Sequence, residues 1–185
     1  MPKFEQTENQ APNPASDILV GTGHRIVDIA TDESQTLARG AVVGVLSATG
    51  RLVALDRTQY ETTASGDASA QAFDLGHDSV DADAVVAMVD GSRVFGFSIN
   101  RGTGTDGVDR IQFDTAPASG TDNIQVYYHR TSSRPAGVMY EAVDNATGEM
   151  PTQPVVTSGS VLMDKLTGVP AGYSRGMALG DLFLE

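Results

Sequence analysis

Wherever this chain turns apolar, it stops being apolar within a few residues. AVVGVL at 41–46, RLVAL at 51–55, AVVAMV at 84–89, RIQF at 110–113 and NIQVYY at 123–128 each end at a glycine or a polar residue. A globular helix needs apolar positions recurring every three to four residues over about ten or more. No segment here predicts a helix longer than about three turns. Twenty glycines and eight prolines supply the breaks between runs, which favours short strands joined by turns. The expected fold class is therefore all-β: a compact, barrel-like domain with little helix.

At 185 residues the chain suits one domain, or a compact domain carrying a large insertion. There is no cysteine, which excludes disulfides, thiolate metal sites and a cysteine nucleophile. No apolar run approaches the ~18 residues that would span a bilayer, and residues 1–17 lack the apolar stretch of a secretory signal. A soluble protein without a membrane partner is expected.

The net charge is -12. A surface this acidic repels phosphates and argues against nucleic acid as a direct partner. Seventeen of the acids are Asp and seven are Glu, while ten of the bases are Arg and only Lys3 and Lys165 are Lys. Such a surface suits a very salty cytoplasm, where salt screens self-repulsion. A GC-rich genome produces the same bias.

Residues 1–17 are polar and carry Pro2, Phe4, Pro12 and Pro14. They predict an extended arm that orders on a partner. From Ile18 the runs DILVGTG and HRIVDIAT are short and β-rich. Next comes the best-defined segment, TLARGAVVGVLSATGRLVALD at 36–56. It predicts a hairpin turning at Ala48-Thr49-Gly50. Alternation across 40–46 is weak, so both faces of that strand are expected to be buried. Leu37, Val42, Val43, Leu46, Leu52 and Val53 are assigned to the core.

Residues 58–72 are small and polar and predict a loop or a poorly packed short helix. AVVAMVDG predicts a strand ending in an Asp90-Gly91 turn. SRVFGFSIN, DRIQFDTAP and NIQVYYHR predict a meander of two successive hairpins. AGVMYEAVD reads as a strand, NATGEMPTQP as a loop, and the closing LGDLFLE as a docked strand with Leu182, Phe183 and Leu184 kept from solvent.

The candidate chemistry is sparse. Gly102, Gly104 and Gly107 match the spacing of a dinucleotide fingerprint, but strand-like sequence follows where a helix must start. No cofactor is expected. His24, His77 and His129 are far apart in sequence, and no metal ligand set is expected. Asp78, Asp81 and Asp83 lack the glycine and final acid of a calcium loop. G-x-S-x-G is absent, and the aromatic platforms of glycosidases have no Trp to draw on. Asn145-Ala146-Thr147 forms a glycosylation sequon. No enzymatic activity is expected.

Two stretches carry a resemblance. LARGAVVGVLSATGRLVALD at 37–56 and RPAGVMYEAVDNATGEMPTQPVVTSGSVLMDKL at 134–166 resemble, in order, the strands of the lambda-type head decoration proteins of tailed viruses. The resemblance implies a mostly β domain that forms a homotrimer on the outer surface of the virion head, with the trimer axis as an alternative place for Leu37, Val42, Val43, Leu46, Leu52 and Val53. There it would clamp neighbouring major capsid proteins, with residues 1–17 pairing with capsid strands. It implies no catalytic residues. The expected organisation is an arm at 1–17, a β core from 18–56 and 134–185, and a protruding insertion at 57–133, which is longer than the family's linker. The alternative from another class is a receptor- or glycan-binding β module of a tail fibre or surface protein.

Overall fold

The structure, a computed structural model, describes residues 18–32, 35–144 and 151–185. The expected arm, with Pro2, Phe4, Pro12 and Pro14, and the sequon at Asn145 lie outside the described residues. The chain is all-β. Its described helical pieces are single 3-10 turns of three residues each.

Among the described residues sixteen strands run in order. The first four are β1 Leu19–Ala30, β2 Thr36–Leu37, β3 Val42–Leu46 and β4 Arg51–Ala54. The middle of the chain holds β5 Tyr60–Gly66, β6 Ala72–Asp74, β7 Val86–Val89, β8 Ser92–Val94, β9 Phe97–Asn100, β10 Arg110–Phe113 and β11 Gly120–Tyr128. The last five are β12 Gly137–Met139, β13 Val143–Asp144, β14 Thr152–Val161, β15 Ala178–Leu179 and β16 Leu182–Leu184.

The two ends of the chain build one seven-stranded sheet. Its order is β15-β16-β14-β12-β3-β4, with β1 on the other edge of β14. The sheet curls until Thr31, just past β1, bridges Leu52 of β4 in parallel. The direction of that seam follows from counting. Five strands, β1-β14-β12-β3-β4, alternate in direction, so the two that meet at the seam must run the same way.

Sequence neighbours in this sheet point to opposite faces. Val43, Leu52, Met139 and Val155 cluster inside the curl with Ile29, and Leu37 and Val143 of the β2–β13 ribbon join them. Val42, Val138, Val156 and Val161 lie in a second cluster with Leu179, Leu182 and Leu184 of the tail. The sheet is thus buried on both faces, as the weak alternation of 40–46 predicts. Leu37, Val42, Val43, Leu46 and Leu52 are all buried. Val53 points the other way from Leu52 and is only half-buried.

The middle segment forms two further sheets, β5-β11-β7-β8 and β6-β10-β9. They enclose their own cluster of Leu75, Val80, Ala87, Ile111, Phe113, Ile124, Val126 and Tyr128. Phe73 and Phe97 meet Phe113 edge-on, with ring centroids at 6.0 and 6.3 Å. The Asp90-Gly91 turn forms as expected: φ is 50° and 74°, the double positive that a two-residue hairpin loop requires.

Four expectations are corrected. The stretch 58–72 contains a seven-residue strand, β5, instead of a loop or helix. Its inward positions Thr62 and Ala64 are small because the opposing Val126 and Ile124 of β11 fill the space. SRVFGFSIN is two strands: β8 pairs with β7, whereas β9 pairs with β10 in the other sheet. The second hairpin of the meander is absent, because β10 pairs with β6 and β9 while β11 joins β5 and β7. In the tail, Leu182 and Leu184 are buried, but Phe183 between them is 45% exposed, as alternation along a one-sided strand dictates.

Candidate functional site

The chain crosses between the terminal sheet and the middle segment twice, at 55–59 and at 129–136. The two crossings run side by side. His129 Nδ1 lies 2.9 Å from the Thr58 carbonyl, and the Asp56 N–H donates to the Ser132 carbonyl at 3.2 Å. A carbonyl only accepts, so Nδ1 of His129 carries the proton.

The joint around these crossings is polar. None of the three hydrophobic clusters draws residues from both halves. The Thr131 hydroxyl donates to the Val45 carbonyl at 3.0 Å and accepts the Ser47 N–H at 2.9 Å. The Ala48 N–H donates to the Ser79 hydroxyl at 3.0 Å, and Arg101 donates to the Ser47 hydroxyl at 2.8 Å. The turn of the opening hairpin is therefore a docking element. Gly44 is required beside it: a Cβ there would stand 2.3 Å from the Ser132 carbonyl oxygen.

Arginines complete the joint. Arg134 meets Asp81 through Nε at 2.5 Å and Nη2 at 2.7 Å, and reaches Asp83 at 3.0 Å. This raises the Arg134 guanidinium further above its usual range. Arg130 pairs with Asp78. The acidic trio singled out in the sequence is thus neutralised by arginine. Among the described residues no group of three or more His, Asp or Glu is placed to hold a metal ion.

A buried acid that sequence reasoning missed organises the neighbouring loops. Asp109 is 1% exposed and accepts the Val80 and Gly102 N–H groups, each at 2.8 Å. The glycine-rich loop 102–107 is consequently a held hairpin connection. β9 precedes it and β10 follows, so the helix of a dinucleotide site has no place there.

Behind the crossings lies an aromatic group. The His77 and Tyr60 rings are in tilted contact with centroids 4.1 Å apart, and Tyr60 donates to Asp56 at 2.6 Å. The Tyr128 hydroxyl donates to the Leu75 carbonyl, so His77 Nδ1, at 2.9 Å, donates to the Tyr128 oxygen. Burial lowers the His77 imidazole below its usual value, and the Arg130 charge acts in the same direction. Partial burial pulls the Asp56 carboxyl upward, but hydrogen bonds from Thr58 and Tyr60 outweigh it and hold the group below the usual range. His24, on β1, is separate and bonds the Ser160 carbonyl at 3.0 Å.

A cleft opens on the joint beside Arg134. It measures about 230 Å³ and is lined by Arg57, His129, Ser133, Arg134, Pro135, Pro170 and Tyr173. Both crossings and the C-terminal tail contribute. Comparison with family models, with curated proteins and with solved structures returns no match.

Proposed function

We propose that the chain is a structural protein of a tailed-virus head, which decorates the outer capsid surface as a trimer and clamps adjacent major capsid proteins. One observation carries the reading. The two stretches that resemble the decoration proteins, separated by the 77 residues 57–133, supply adjoining strands of a single curled sheet: β3 and β4 from the first, β12 and β14 from the second. A sheet buried on both faces gives a stiff body whose action lies in the surfaces it holds together. Many modest contacts repeated by symmetry stabilise a shell without a strong single site. The acidic surface keeps the free protein soluble before assembly.

The test is direct. Light scattering of the purified protein should give a trimer, and the protein should add to expanded, empty heads. A monomer that ignores capsids would refute the proposal. Deleting residues 1–17 should abolish capsid addition and leave the trimer intact. Unchanged addition would remove the arm from the account.

A further inference from the structure

The cleft at the joint differs from the rest of the surface in two ways. This is a chain of net charge -12, yet no acid lines the cleft, while two arginines do. Several arginines elsewhere are committed to aspartates: Arg51 to Asp32, Arg110 to Asp74, Arg130 to Asp78. Arg57 pairs with no described residue. Arg134 spends Nε and Nη2 on Asp81 and Asp83 and commits Nη1 to no described residue.

The remaining walls are equally particular. The proton on Nδ1 of His129 is held by the Thr58 carbonyl, which leaves Nε2 for a ligand. The Ser133 and Tyr173 hydroxyls bond no described residue. Pro135, buried Pro170 and the half-buried Tyr173 ring supply flat apolar surface. Convergent polar groups on an apolar wall are what a ligand site consists of.

The geometry points to a binding site for an acidic sugar: one pyranose ring bearing a carboxylate, of the hexuronate type, as a unit of a larger glycan. The guanidinium of Arg57 matches a carboxylate in charge and in planar, two-pronged donor geometry. The Tyr173 and proline faces take the C–H face of a ring, and Ser133, His129 Nε2 and the Tyr173 hydroxyl meet its hydroxyls. At about 230 Å³ the cleft falls below the ~300 Å³ at which drug-sized sites begin, so it suits one ring. A free acidic side chain would use the arginines and leave the apolar wall bare. The site is independent of the clamp: capsid addition can fail with sugar binding intact, and the reverse.

The experiment titrates the full-length protein with glucuronate, glucose, acetate and the peptide Gly-Glu-Gly, read by amide and arginine side-chain NMR shifts. Glucuronate should give saturable shifts confined to residues 57, 129–135 and 170–173, with at least tenfold tighter binding than glucose or acetate. Arg57→Ala should weaken glucuronate at least tenfold, and Arg57→Lys should do so less. Arg57 is exposed and pairs with no described residue, so both variants should keep the wild-type spectrum elsewhere. No saturable shift, acetate binding as tightly as glucuronate, or tighter binding of the peptide would each overturn the inference.

Discussion

The two halves of this molecule solve the same problem differently. The terminal half rolls one sheet into a nearly closed curl and buries both of its faces, the inner one on itself and the outer one under the tail. The middle segment stacks two sheets and buries one face of each. The first solution needs strands apolar at successive positions, such as Val42-Val43, Val138-Met139 and Val155-Val156. The second needs alternation, and β11 shows it from Ile124 through Val126 to Tyr128. Among the described residues none of the three buried apolar clusters spans both halves, and hydrogen bonds and arginine–aspartate pairs cross the joint. Each half is therefore expected to owe its stability to its own core.

Substitutions can break or sharpen that contrast. Phe113→Ala removes the ring on which Phe73 and Phe97 converge, and should cost the middle segment about 4 kcal/mol in denaturant unfolding. Met139→Ala opens the inside of the curl and should cost the terminal half about 3 kcal/mol. Equal loss of structure in both halves from either variant would contradict separate cores. Thr131→Val removes one bond in each direction across the joint and should cost about 1.5 kcal/mol, with both core spectra unchanged.

The smallest effect concerns pH. The folded state holds His77 below its usual value of 6.5, so folding favours the neutral imidazole. That contribution is complete above 6.5 and is lost as the pH falls through the lowered folded value. His77→Phe should flatten this limb of the stability curve, as a series of melts across the range will show. Asp56 acts in the same sense at more acidic pH, since its folded value is also lowered.

The sequence revealed the parts whose signal is local. The β3–β4 hairpin announces itself through two apolar runs around Ala48-Thr49-Gly50, and β7–β8 through Asp90-Gly91. Two-sided burial of β3 was legible because Val42, Val43 and Val45 leave no polar face. What stayed hidden depends on partners distant in sequence. β5 looks like a loop because Thr62 and Ala64 are small, and only β11 makes them core. SRVFGFSIN looks continuous because nothing local says that Phe95-Gly96 passes from one sheet to another. The cleft was illegible for the same reason: residue 57, residues 129–135 and residues 170–173 meet only when both crossings and the tail are in place. Asp109 is one of seventeen aspartates, and only folding buries it.

Native-state hydrogen exchange on Phe113→Ala tests the central claim most directly. Separate cores predict faster exchange for the amides of β5, β7, β10 and β11, with β3, β12 and β14 protected as in the parent protein. Uniform acceleration across all seven strands would mean that one cooperative core spans the joint, and would contradict the account.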